Sequence, residues 1–126
     1  MLCVVGHDSY IHAWHERWSR ERSDDAAEAA RAREVAERLA GMLAERYGAT
    51  RVVLTGSLAR GDFGIGSDID LGVEGLAPGD LFRAGADAER LADGFEVDLI
   101  PLESASPDFL ARLRDEGILL HDAKAG

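Results

Sequence analysis

Residues 55–71 read TGSLARGDFGIGSDIDL, a Gly56-Ser57 pair followed, after ten intervening residues, by Asp68, Ile69 and Asp70. Side chains alternate along an extended strand, so Asp68 and Asp70 share one face while Ile69, Leu71 and Val73 take the other. A half-buried strand with two carboxylates on its polar face, just beyond a glycine-rich turn, is the pattern on which the rest of the chain is read.

Upstream of the turn, RVVLT at 51–55 is short and β-branched and reads as a buried strand running into Gly56-Ser57. Before it, residues 24–47 repeat apolar positions at Ala32, Val35, Ala36, Leu39, Leu43 and Tyr47. That spacing predicts a long amphipathic helix, capped by Ser23 and stopped by Gly48. Downstream, Pro78 suits the first turn of a helix with Leu81, Ala84, Ala88 and Leu91 inward, ending near Gly94 and weakened by Gly85. FEVDLIP at 95–101 is a strand that sets Asp98 and Ile100 opposite Val97 and Leu99. Ser106-Pro107 opens a helix with Phe109, Leu110 and Leu113 inward, Gly117 stops it, and residues 118–120 form a short edge strand. The expected order is helix, strand, strand, helix, strand, helix, strand.

Asp68, Asp70 and Asp98 on adjoining strands would repel one another unless protonated or bridged by cations. All-oxygen ligands favour Mg²⁺ or Mn²⁺, and a pair of such ions about 4 Å apart is suited to in-line phosphoryl or nucleotidyl transfer. In that reading Asp68 and Asp70 bridge two ions, and Asp98 holds the one nearer the nucleophile and can accept its proton. Gly56 lets the backbone approach a triphosphate, Ser57 adds a hydroxyl and an N–H, and Arg60 offsets phosphate charge. Gly61, Gly64 and Gly66 predict a mobile loop between turn and strand.

Gly56, Ser57, ten residues, Asp68, Ile69, Asp70 and then Asp98 in EVDLI resemble the minimal nucleotidyltransferase (MNT) family of the DNA polymerase beta-like superfamily, whose signature is GSx10DxD with a later carboxylate on a neighbouring strand. The resemblance covers roughly residues 35–120 and misses no position of the signature. It implies an α+β fold, a small mixed β-sheet flanked by helices as in polymerase beta-like nucleotidyltransferases. It also implies nucleotide binding at Gly56 and Ser57, with Arg60 at a basic position common in the family's loop, and metal binding and catalysis at Asp68, Asp70 and Asp98. ATP is the implied substrate and two Mg²⁺ ions, or Mn²⁺, the implied cofactors.

At 126 residues the chain is read as a 1–22 extension, helical or partner-facing, followed by one nucleotidyltransferase domain over 23–126. His7, His12 and His15 with Trp14 and Trp18 crowd the extension, and a zinc site there is the weaker reading beside a packed or partner-facing helix. One cysteine, Cys3, excludes an internal disulfide and suits the cytoplasm. No apolar run nears the ~20 residues of a membrane span, and the N terminus lacks a secretory pattern. Fourteen basic against twenty-four acidic side chains, a net charge of −10, oppose direct nucleic-acid binding and favour a basic protein partner.

Standalone MNT proteins commonly act as antitoxins to HEPN ribonuclease toxins, and the best-understood ones transfer AMP from ATP to a tyrosine of that partner. The resemblance therefore implies a protein adenylyltransferase antitoxin. Two other readings stand beside it: a non-catalytic antitoxin acting by contact and, ranked below both, a small-molecule nucleotidyltransferase whose acceptor site forms across a homo-oligomer, namely a homodimer.

Overall fold

The computed structural model describes residues 7–64 and 66–123, with side chains from 25 onward apart from 65. Cys3, Ile65 and the side chains of His7, His12, His15, Trp14 and Trp18 lie outside the described set, and with them the zinc reading.

Helix α1 runs from His7 to Tyr47. It does not start at Ser23: residues 12–22 contain no Pro or Gly and are rich in Glu and Arg, so nothing in the backbone chemistry breaks the helix there. Its C-terminus is where the sequence places it. Gly48 takes φ +72°, its N–H donates to Ala44 O at 3.2 Å, and Ala49 N–H donates to Leu43 O at 3.1 Å, which satisfies carbonyls of the last turn. Strand β1 (Arg51–Thr55) leads directly into the one-turn helix α2 (Gly56–Arg60), and β2 (Ile69–Glu74) pairs back on β1 antiparallel. A 3₁₀ turn at Pro78–Asp80 opens α3 (Leu81–Arg90), which crosses over to β3 (Val97–Pro101), parallel to β2. Helix α4 (Pro107–Glu116) and edge strand β4 (Ile118–Asp122), antiparallel to β1, complete the chain. The sheet order is β3-β2-β1-β4, a mixed four-stranded sheet with helices on both faces.

The two faces hold unequal cores. On one, Val52, Leu54, Ile69, Leu71 and Val73 meet Val35, Leu39 and Leu43 of α1 and Ala84 and Ala88 of α3, all buried. On the other, Val53, Leu102 and Leu113 form a small cluster backed by Phe109 and Leu110 of α4. Helix α3 stops at Arg90, so Leu91 turns outward, 39% exposed, and the buried Ala92 fills the core position instead. Ser106 caps α4 as expected, its hydroxyl accepting from Phe109 N at 3.1 Å with Pro107 at the first helical position.

Candidate active site

Thr55 ends β1 opposite Asp70 in the antiparallel register, and Asp98 of β3 stands opposite Asp70 in the parallel one. Period-two alternation therefore carries Asp70 and Asp98 to the α4 side of the sheet, away from Ile69, Leu71, Val97 and Leu99. Asp68 lies one residue before β2 and is exposed, as is Asp98, whereas Asp70 is half-buried. Burial raises the Asp70 carboxyl above its ordinary range, the Asp98 and Asp68 carboxylates raise it further, and the Arg60 guanidinium opposes them. Asp98, Asp68 and Arg60 thus all act on the Asp70 carboxyl.

Gly56 is held at φ +77° with its Cα against Asp70: a Cβ there would come within 3.1 Å of Asp70 Cγ, closer than side chains pack. Only glycine allows both that backbone angle and that approach. Ser57 opens the turn of α2, and its carbonyl accepts N–H bonds from Gly61 and Asp62, both at 3.0 Å, closing the turn beneath Arg60. Arg60 pairs with Asp62 at 3.6 Å.

The glycine-bearing loop is tied down more firmly than its composition suggests. Phe63 is buried in the main core and meets Phe95 edge-on at 6.0 Å, and Gly64 and Ser67 exchange backbone and side-chain hydrogen bonds at 3.0 and 3.2 Å. Phe63 thereby ties the loop to the core, a contact that glycine counting does not reveal.

Between α2, β2, β3 and α4 lies a cleft of about 150 Å³, walled by Gly56 and Arg60 on one side and by Phe109, Arg112 and Glu116 on the other, with Asp70 and Ile100 between them. A larger hollow of about 380 Å³ lies elsewhere, between α4, β1 and β4, and contains none of the motif residues. Among the described residues the smaller cleft brings together the Gly56 backbone, the Asp70 carboxylate and two arginines, which makes it the candidate site. Sequence reading missed Arg112 and Glu116. Their spacing from Phe109, three and seven residues, marks one helix face, but that this face meets the cleft of Asp70 follows only from where α4 packs.

Carboxylate oxygens suit hard divalent cations, and the mutual repulsion at Asp70 is what such a cation would relieve. Among the described residues no three acidic, His or Cys side chains converge into a ready-made ion cage. The carboxylate oxygens of Asp68, Asp70 and Asp98 are of the donor type that suits a hard ion such as Mg²⁺, which keeps water and phosphate oxygens among its ligands.

Residues 36–120 match the family model for the nucleotidyltransferase domain. No curated protein sequence matches the chain. Among solved structures, the fold resembles a chain in a toxin–antitoxin crystal structure with AMP-PNP, at TM-score 0.61 and 23% identity over 71% of this chain and 75% of that one. It also resembles a chain in the complex of a tri-AMPylated Shewanella oneidensis HEPN toxin with an MNT antitoxin, and one in the MntA–HepT toxin–antitoxin structure. Both give TM-score 0.57 and 20% identity over 74% of each chain. These likenesses bear out the α+β fold expected from the sequence.

Proposed function

The chain belongs to the nucleotidyltransferase domain family, and from that premise we propose that it is a protein adenylyltransferase, an MNT-type antitoxin that moves AMP from ATP to a tyrosine hydroxyl of a HEPN toxin. The observation that carries the reading is the register of Asp98 against Asp70 beside the Gly56 backbone. A chain that only gripped nucleotide or toxin would have no use for a third carboxylate set on the neighbouring strand at the same level.

In this reading the triphosphate lies against Gly56 and Ser57, with Arg60 and Arg112 facing each other across the cleft to offset its charge. Asp68, Asp70 and Asp98 would hold two Mg²⁺ or Mn²⁺ ions, which supply charge neutralisation at the phosphates. The acceptor oxygen attacks the α-phosphorus, the new O–P bond forms as the bond to pyrophosphate breaks, and Asp98 takes the hydroxyl proton. The cleft is too small to enclose a whole nucleotide, below the ~300 Å³ of ordinary ligand pockets, so the nucleoside and the acceptor meet on an open surface. An acceptor that brings its own scaffold suits that openness, and a HEPN toxin of the kind in the similar complexes provides one. The net charge of −10 favours docking on a basic RNA-cleaving protein.

Intact-mass spectrometry of a HEPN partner incubated with the chain, ATP and Mg²⁺ tests the reading. The expected result is a partner heavier by one or more AMP units on tyrosine, with Asp68→Asn still forming the complex but leaving the partner unmodified. An unmodified partner that is nonetheless inhibited by both wild type and Asp68→Asn replaces the enzyme with a contact antitoxin. AMP appearing only on a small hydroxylated or aminated metabolite replaces it with a small-molecule enzyme.

A further inference from the structure

Strand β3 is an outer strand of the sheet, paired only with β2 among the described residues. Ile69 N–H donates to the Glu96 carbonyl at 2.8 Å, and the parallel register sets Asp70 opposite Asp98. Alternate residues of a strand address the same neighbour, so Glu96, Asp98 and Ile100 point their backbone groups at β2. The N–H and C=O groups of Val97 and Leu99 consequently face outward, along an edge able to accept another strand.

Val97 and Leu99 also line a groove of about 350 Å³ between β3 and α3, and Asp98 belongs to the same groove. Three features of its α3 wall point to an occupant. Phe82 stands at the rim 86% exposed, the most exposed large apolar side chain among the described residues. Gly85, one turn on, weakens the helix without a packing reason among the described residues, since a Cβ there would meet nothing within 4 Å. Its absence leaves the wall open to close approach by another backbone. The ionisable group that this wall contributes is Glu89, acidic, so the groove complements positive charge.

We infer that the free edge of β3 and the α3 groove form the acceptor-docking surface, taking an extended, basic segment of the acceptor polypeptide as an added strand. The inference rests on the transferase reading and deepens it by naming how the acceptor is held. Side chains of an added strand alternate, so a residue level with Asp98 projects to the aspartate face while its two neighbours project toward Phe82. A tyrosine, serine or threonine in that position delivers its hydroxyl beside Asp98 for attack on the α-phosphorus, with pyrophosphate leaving and the proton passing to Asp98. Main-chain bonds to Val97 and Leu99 provide affinity, and Glu89 selects lysine or arginine in the flanks.

The full chain with Mg²⁺ and labelled ATP is given a library of nine-residue peptides carrying a central Tyr, Ser or Thr between randomised flanks. Labelled peptides should be enriched in Lys and Arg and depleted in Asp, Glu and Pro. Phe82→Ser and Ala86→Arg, the second a helix-compatible change that fills and charges the groove, should each raise KM for a selected peptide about tenfold or more while ATP affinity stays within about twofold. Labelled peptides without flank bias, or transfer untouched by both variants, overturn the docking surface and leave the transferase reading in place. The same holds if a folded acceptor is labelled and the peptides are not. So does sedimentation showing a wild-type dimer that Phe82→Ser converts to monomer, because a second copy then covers the edge. ATP binding with no transfer to any acceptor removes the transferase reading and this surface together.

Discussion

Strand β2 separates two environments that differ at every successive residue. Toward α1 and α3 it presents Ile69, Leu71 and Val73, all buried among aliphatic side chains. Toward α4 it presents Asp70 and Gly72, beneath a cluster that among the described residues has three buried members, Val53, Leu102 and Leu113. One face concentrates the apolar burial that stabilises the fold; the other leaves room for carboxylates that cost stability. Because a rigid strand joins them, the packed face can hold the strained one in position, and substitutions on the two faces should fail in different ways.

The largest effect expected is on the open face. Asp70→Asn should lower AMP transfer about a thousandfold, ~4 kcal/mol of transition-state stabilisation, while far-ultraviolet circular dichroism stays that of the wild type. Lost helical signal in that variant would show that the two faces are not separable. Leu71→Ala, the adjacent residue on the packed face, should cost about 3 kcal/mol in urea unfolding through the cavity it leaves, with Mg·ATP affinity of the folded protein unchanged. Asp98→Asn should reduce transfer about a hundredfold yet keep ATP affinity within about tenfold, because Asp98 is exposed and its proposed work is on the nucleophile. Calorimetric titration alongside labelled-ATP assays reads both quantities, and unchanged turnover removes Asp98 from the chemistry.

Ser106→Ala removes the cap of α4 and should cost about 1 kcal/mol in chemical denaturation, and the thin core under α4 makes ATP affinity fall with it. The smallest effect concerns pH. The Asp70 carboxyl titrates above its ordinary value in the folded chain, first through burial and then through Asp98 and Asp68. The folded state therefore binds more protons than the unfolded one between those two values, and the stability this contributes is full below the ordinary value and lost as pH rises through the raised one. Without metal, Asp70→Asn should melt a few degrees higher than wild type at neutral pH and no higher at acid pH. It should also gain less from Mg²⁺ and ATP than wild type does. A wild-type advantage at neutral pH without metal would show that Asp70 is not strained.

Local chemistry made much of this legible. Gly48, Ser106-Pro107 and Gly117 bound their elements where the sequence places them, because a stop or cap depends on a few adjacent atoms. The start of α1 was not legible at Ser23, where a good capping residue sits inside a run that favours helix on both sides. The anchored loop was missed for the opposite reason: Phe63 reads as one aromatic among glycines until the core that receives it is assembled.

By itself the sequence determined which candidate groups the chain carries and how they alternate within each strand. The ten-residue spacing from Gly56-Ser57 to Asp68 and Asp70, and the alternation that sets Asp98 opposite Val97 and Leu99 within its own strand, are properties of a covalent chain with a two-residue strand period, and they hold wherever the strands go. Only the tertiary structure decided which strand Asp98 faces and what stands across from it. The β2–β3 register that sets Asp70 beside Asp98, the packing of α4 that brings Arg112 to the cleft Asp70 lines, and the outer edge of β3 next to Phe82 all arise between segments far apart in sequence. Such contacts are selected by the burial of the whole apolar face, a sum over many residues that no single motif contains.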